Sequence, residues 1–371
     1  MTPHSPAIPE TPEADLPLAG VRVIDLTSVI FGPLCTQILG DQGADVIKIE
    51  APGGDITRQL GPTRSPGMAA TFLGSNRNKR SVQLDLKRPE AREALLRLVE
   101  GADLFVHNVR ARKMAALGLD AEAMLARNPA LVYGAMLGFG EDGPYAGRPA
   151  YDDVIQGMGG FAGAVLARDG APQLAPTIVA DKTAALAAAS ALIAAYVRRL
   201  RTGRGARVDV PMFETLVAWT LVEHHHGDWF EPSEGGAGYP RALSAHRRPH
   251  ATADGFLCVL PYTDAHWARF WEILGRADLA ADPRFATPRA RGENIDALYG
   301  AVSPLMAART TAEWLAAFEA AEIPSGPITP LSVLAKDPQA VASGLVRPLE
   351  HPSEGRLNAL HPAGRLDGAA L

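Results

Sequence analysis

Three adjacent segments alternate in period: VRVIDLT (Val21–Thr27), GPLCTQILGDQG (Gly32–Gly43) and ADVIKIE (Ala44–Glu50). The first and third are short runs rich in β-branched residues. The middle one has helical apolar spacing and stops on a glycine. A strand, a helix and a strand within about thirty residues oblige the two strands to run parallel, because the helix returns the chain to its starting edge. The alternation continues through RSVQLDL, the helical RPEAREALLRLVEGA with Pro89 near its start, DLFVHNV, a helix expected near Met114 to Arg127, and ALVYGAML. An α/β domain built on a parallel sheet follows.

The next helix raises the main question. PTIVADKTAALAAASALIAA (Pro176–Ala195) is rich in alanine and carries a lone carboxylate, Asp181, near its start. As an N-cap, Asp181 would accept hydrogen bonds from amides of the first turn. The same place suits a nucleophile, since free amides at a helix start stabilise an oxyanion forming on a neighbouring acyl carbonyl. Spacing does not choose between them. The helix is expected to end at VRRLRTGRG, with Arg198, Arg199 and Arg201 near the last turn as ordinary C-terminal cations.

From about Gly235 the texture changes. GGAGYPRALSAHRRPH reads as a connector, and ATADGFLCVLPY as a hairpin turning at Asp254-Gly255. Helices are expected over His266–Leu274, Ile295–Ala307 and Thr311–Ala321. The expected organisation is a disordered lead (1–16), a large domain (17–225), a small α+β domain (240–322) and a return to the large domain (323–371).

Composition narrows the functions. A formal net charge of −5 gives no basic field for nucleic acid. Two cysteines, Cys35 and Cys258, far apart in sequence, suit a reducing compartment without structural zinc, hence the cytoplasm. The opening MTPHSPAIPETPEADLPL lacks an apolar signal core, and the apolar run Ala184–Val197 is shorter than the ~20 residues of a membrane span. No membrane association is expected.

Several motifs fall short of their chemistry. The first βα turn, TSVIFGP, has one glycine, so the dinucleotide fingerprint fails even though Glu50 ends the second strand. His224, His225 and His226 are consecutive and cannot all face one ion, so no metal is expected. No G-x-S-x-G serine motif occurs. NKRSVQLDLK (Asn78–Lys87) is either a solvated basic loop or a phosphate contact.

Taken together, LAGVRVIDLTSVIFGPLCTQILGDQGADVIKIEAPGGDITR, NRNKRSVQLDLKRPEAREALLRLVEGADLFVHN, AYDDVIQGMGG and ADKTAALAAASALIAA with RTGRGARVDVPMFE resemble the class III CoA-transferases, which include formyl-CoA transferase, the carnitine CoA-transferases and α-methylacyl-CoA racemase. The likeness runs from Leu16 to Glu214 and resumes more weakly from HATADG to IPSGPI. It implies a large Rossmann-like domain with an inserted smaller α+β domain, in an interlocked, ring-like homodimer. It makes Asp181 the nucleophile, passing through an aspartyl anhydride and an aspartyl-CoA thioester, with Tyr151 and Asp152 beside the reacting thioester. It assigns CoA contacts to Val29, Leu84, Leu86, Lys87 and Asn108. Ile30 replaces a substrate-side glutamine, and Ala51 and Ala116 replace CoA-contacting arginines, so phosphate contacts are expected to pass to Arg110 or Arg112. GGAG (Gly235–Gly238) partly echoes a glycine-rich active-site loop, and the family pattern continues into a final helix beyond AGRLDGAAL. Acyl-CoA and a free carboxylic acid are the implied substrates, with no tightly bound cofactor. A racemase needs a second base, a histidine where this chain has Tyr151, and a phenol is a poor base at neutral pH. Racemase or epimerase activity, a non-catalytic CoA-binding protein and a nucleotide-dependent oxidoreductase are the alternatives.

Overall fold

A computed structural model describes residues 11–371. Residues 1–10 of the expected disordered lead lie outside the described residues. Residues 11–16 depart from that expectation: Glu13–Asp15 form a 3-10 turn, and the Thr11 amide donates to the Ala370 carbonyl at 2.9 Å.

The chain divides into two compact units. The first comprises the described residues to Gly159, Leu174–Trp219 and Ala335–Leu371. It contains six parallel strands: β1 (Arg22–Leu26), β2 (Asp45–Glu50), β3 (Lys79–Gln83), β4 (Leu104–His107), β5 (Val132–Leu137) and β6 (Ala206–Pro211). Their spatial order is β3-β2-β1-β4-β5-β6. This doubly wound order reverses direction between β1 and β4, and such sheets bind ligands outside their carboxyl ends at that point. Central β4 and β5 are buried at every position, so they read as continuous apolar runs, whereas edge strand β3 is mostly exposed and polar.

Both faces of the sheet are covered. On one, Val23, Leu104, Val106 and Val132 pack with helix α1 (Phe31–Asp41) and with the alanine-rich helix, whose Ala184, Ala185, Ala188, Ala189 and Leu192 are buried. On the other, Ile24, Phe105 and Tyr133 meet Leu95 and Val99 of α3 (Pro89–Glu100), which follows the short α2 (Ala70–Ser75), and then Met114 and Met124. The single helix expected near Met114–Arg127 is two, α4 (Ala111–Leu117) and α5 (Ala121–Arg127). Gly118, at φ 67°, ends the first in the left-handed region, and the Asp120 side chain caps the second.

Helix α6 (Asp152–Met158) precedes α7 (Phe161–Asp169), which belongs to the second unit, and α8 is the alanine-rich Val179–Thr202. At 24 residues α8 is long and apolar enough by composition to cross a membrane, longer than the apolar run read from sequence. In the fold it is packed against α1 and the sheet, and it buries a carboxylate in its first turn. Gly203 caps its far end at φ 68°, Arg199 pairs with Asp103, and Arg198 donates to the Gly205 carbonyl at 3.1 Å. Residues from Ala335 add the antiparallel pair Val346–His351 and Gly355–Leu360, where Arg64 donates to the carbonyls of Glu354 and Arg356 at 2.6 and 3.1 Å.

The second unit comprises Gly160–Gln173 and Thr220–Leu334. It therefore starts earlier than the expected 240 and ends later than 322, and it recruits α7. Its three-stranded sheet pairs His250–Ala251 with Phe256–Val259 and the latter with Ser325–Pro327. The hairpin closes over Thr252–Gly255 rather than a two-residue Asp254-Gly255 turn, because the Thr252 amide donates to the Gly255 carbonyl at 2.9 Å. Helices Asp264–Leu274, Ile295–Val302 and Thr311–Ala320 supply Trp267, Phe270, Leu298, Trp314 and Phe318 to its core, and Thr310 with Glu313 forms a capping box.

Candidate active site

Asp181 lies inside the first turn of α8. The N-cap residue is Ile178, which makes no side-chain cap, so the capping reading of Asp181 is incorrect. The helix begins before the aspartate, and its carboxyl receives no hydrogen bond from any described residue. The first-turn amides are served otherwise: Val179 donates to the Thr177 carbonyl at 2.8 Å, Lys182 to the Ile178 carbonyl at 3.2 Å, and Asp181 to Asp152 Oδ1 at 3.0 Å. The Ala180 amide has no protein acceptor among the described residues.

Asp152 thus does from α6 what a local cap would do. Its other oxygen, Oδ2, accepts from Gln156 Nε2 at 2.5 Å. Gln156 also donates to the Thr177 carbonyl at 3.2 Å and accepts from the Ala175 amide at 2.8 Å, so one side chain ties α6 to the segment leading into α8. Gln156 escaped the sequence reading, although its spacing of four from Asp152 places both on one helix face. Asp181 is 8% exposed. Burial, and after it the charge of Asp152, pushes its carboxyl up to about 7. A carboxylate with no donor and little solvent is poorly stabilised and correspondingly nucleophilic once ionised. Tyr151 precedes α6 and is exposed.

The residues expected to touch CoA follow the carboxyl ends of three strands. Val29 follows β1, at φ 71°. Leu84, Leu86 and Lys87 follow β3, and Asn108 and Arg110 follow β4. Leu84 and Leu86 are half-buried against the core, and Lys87 is exposed. Asn108 reaches the β1 turn, donating to the Ser28 carbonyl at 2.7 Å and accepting from the Ser28 amide at 3.0 Å. Arg110 and Asn108 line a cavity of about 40 Å³ with Phe139, Glu141 and Arg148, whereas Arg112 does not line it. Because α8 leads back to the start of β6, its own start lies toward the same carboxyl edge.

Other candidates are spoken for. The cations opening NKRSVQLDLK are paired, Lys79 with Asp25 at 3.0 Å and Arg80 with Asp45 at 2.7 Å. Glu50, the would-be ribose acid, accepts from Arg58 at 2.6 and 2.8 Å and from the Asp55 amide at 2.7 Å. Burial, the largest single influence, works against its charge, but Arg58, the Ser81 hydroxyl and the Asp55 amide together hold it down at about 2. His224 Nδ1 accepts from the Tyr239 amide at 3.2 Å, His225 packs edge-on against Trp229, and His226 lies beside Tyr239. Among the described residues no cluster of His, Cys, Asp or Glu suits a metal ion. A cavity of about 560 Å³ lies in the second unit, lined by Arg168, Asp169, Arg247 and Arg248 but by none of the residues above, so volume alone does not locate the site.

The chain resembles known proteins along most of its length. The family model for CoA-transferase family III matches residues 18–370. The chain is 35% identical over 352 residues to a succinate–glutarate CoA-transferase of Agrobacterium fabrum, covering 92% of this chain and 87% of the relative. It is 31% identical over 362 residues to a formyl-CoA:oxalate CoA-transferase of Rhodopseudomonas palustris, covering 91% and 85%. A crystal structure of a mutant of Rv3272 from Mycobacterium tuberculosis superposes with a TM-score of 0.84 at 28% identity, covering 98% of this chain and 94% of that one. With its parallel six-stranded sheet and a family-model match that spans residues 18–370, the chain belongs to CoA-transferase family III, the class III CoA-transferases.

Proposed function

We propose that the protein transfers CoA from an acyl-CoA thioester to a free carboxylic acid, with Asp181 as the covalent relay. The carboxylate of Asp181 attacks the thioester carbonyl, forming a mixed anhydride and releasing CoA thiolate. The thiolate attacks the aspartyl carbonyl, which expels the donor acid and leaves an aspartyl-CoA thioester. The acceptor carboxylate attacks that thioester, regenerating thiolate and a new anhydride. Thiolate then attacks the acceptor acyl carbon, and Asp181 departs as free carboxylate. Each step exchanges one acyl bond for another, so no tightly bound cofactor, metal or nucleotide is consumed.

The observation that carries this reading is the buried, donor-free carboxyl of Asp181 in the first turn of α8. Asp152 and Gln156 fix the start of the helix, and Tyr151 borders the thioester. Val29, Leu84, Leu86, Lys87, Asn108 and Arg110 are assigned to CoA, with Arg110 serving the phosphates where Ala51 and Ala116 carry no charge. The relatives named for succinate, glutarate and oxalate favour a short dicarboxylic acid as donor or acceptor. An inserted smaller domain, an interlocked homodimer and a cytoplasmic location belong to the same proposal, the last supported by two unpaired cysteines. The test is a panel of acids, including succinate, glutarate and oxalate, offered with acetyl-CoA or succinyl-CoA and read by mass spectrometry. New CoA esters of dicarboxylic acids are expected. A panel in which only hydrolysis occurs would contradict transfer.

A further inference from the structure

The turn between β1 and α1 is held by side chains from neighbouring strand ends. Val29, at φ 71°, occupies the left-handed region, which a β-branched residue adopts only under constraint. The constraints are specific. The Thr27 carbonyl accepts from Lys48 Nζ at 2.9 Å. Both backbone groups of Ser28 are taken by Asn108. The Val29 amide donates to Asp55 Oδ1 at 3.3 Å. Lys48 and Asp55 form an ion pair of 3.0 Å, with side chains 0% and 1% exposed. Asp55 is itself aimed. Its Oδ1 accepts from the Thr57 amide and hydroxyl at 3.0 and 2.9 Å, and its own amide is held by Glu50.

A buried ion pair is weak evidence of stability, and in some proteins such pairs serve instead to fix one conformation. Here the pair lies under a strained turn at the carboxyl edge of the sheet. We propose that Lys48 and Asp55 are positioning residues that hold Thr27–Val29 in its strained form and so present Val29 to the CoA moiety. This rests on the reading that Val29 and Asn108 contact CoA. Without the clamp the turn relaxes toward negative φ, only a fraction of molecules remains competent to bind, and affinity falls by that fraction. Chemistry on Asp181 is untouched once substrate is saturating, so the loss appears in KM and Kd rather than kcat.

The test uses two double variants of the full chain, so that no buried charge is left alone. Lys48→Met with Asp55→Asn keeps an oxygen acceptor for the Val29 amide, and Lys48→Met with Asp55→Ala removes it. CoA is titrated calorimetrically into both. The second pair is expected to bind on the order of tenfold more weakly than the first, with similar kcat. Adding Val29→Gly to each should bring the ratio near one, since glycine takes positive φ unaided. Equal affinities in the two pairs, or a ratio that Val29→Gly leaves unchanged, overturns the clamp. Should the Asp55→Ala pair not fold, the single variant Val29→Gly decides. Relief of strain leaves its melting temperature at or above that of wild type, and a clear fall overturns the proposal. Wild type failing to bind CoA would instead defeat the reading on which the clamp rests.

Discussion

Asp181 is buried beside a second carboxylate, and burial first, then the charge of Asp152, raise its carboxyl from 3.8 to about 7. Between those two values the folded chain holds a proton that the unfolded chain has released, so stability falls as pH rises through that window. Above about pH 7 the ionised group costs stability on the order of a few kcal/mol. Asp181→Asn should therefore melt higher than wild type near pH 8 and alike near pH 4, checked by calorimetry at both. Transfer by wild type at saturating substrate should rise with pH through about 7, as the nucleophile ionises. A flat profile would separate this carboxyl from the chemistry. The sequence placed a carboxylate at this helix start but not its role there, because whether an aspartate caps depends on where the helix begins. That start is fixed by Asp152 from another helix, a contact no local spacing reveals.

At the scale of elements, period and punctuation were enough to locate β1 to β5, α1, α3 and α8, whereas β6, α2, α6 and α7 were not read. Val21–Thr27, Ala44–Glu50 and Ala130–Leu137 contain β1, β2 and β5. The break between α4 and α5 was also written in the sequence, as Gly118 followed by Asp120, a helix stop and a helix start. Apolar spacing runs across both helices and masked it. The Val29 turn was not legible, since valine is no turn residue and the groups that force it come from β2 and from the segments after β2 and β4. A clue lay in Lys48, a lysine amid Val46, Ile47 and Ile49, which in a buried strand needs a partner such as Asp55. The basic stretch from Asn78 left two readings open, and its first two cations are committed to ion pairs within the fold.

For the whole molecule, the change in texture at Gly235 marked the second unit, but its boundary falls within Met212–His224, a helix that continues through it. The recruitment of Phe161–Asp169 was invisible for a similar reason: it follows α6 after two glycines and resembles its surroundings. If two chains interlock as proposed, dissociation requires a chain to open. Sedimentation over falling protein concentration should then show a single dimeric species, and a folded monomer appearing on dilution would contradict the interlocking. The central claim, however, concerns one covalent bond. Wild type incubated with acyl-CoA and then treated with borohydride should yield a peptide in which Asp181 has become homoserine, the product of reducing an aspartyl thioester. Asp181→Asn, folded, should give no such peptide and lose transfer by several orders of magnitude. A wild-type peptide left unchanged during turnover, or an Asp181→Asn enzyme that still transfers CoA, would contradict the account.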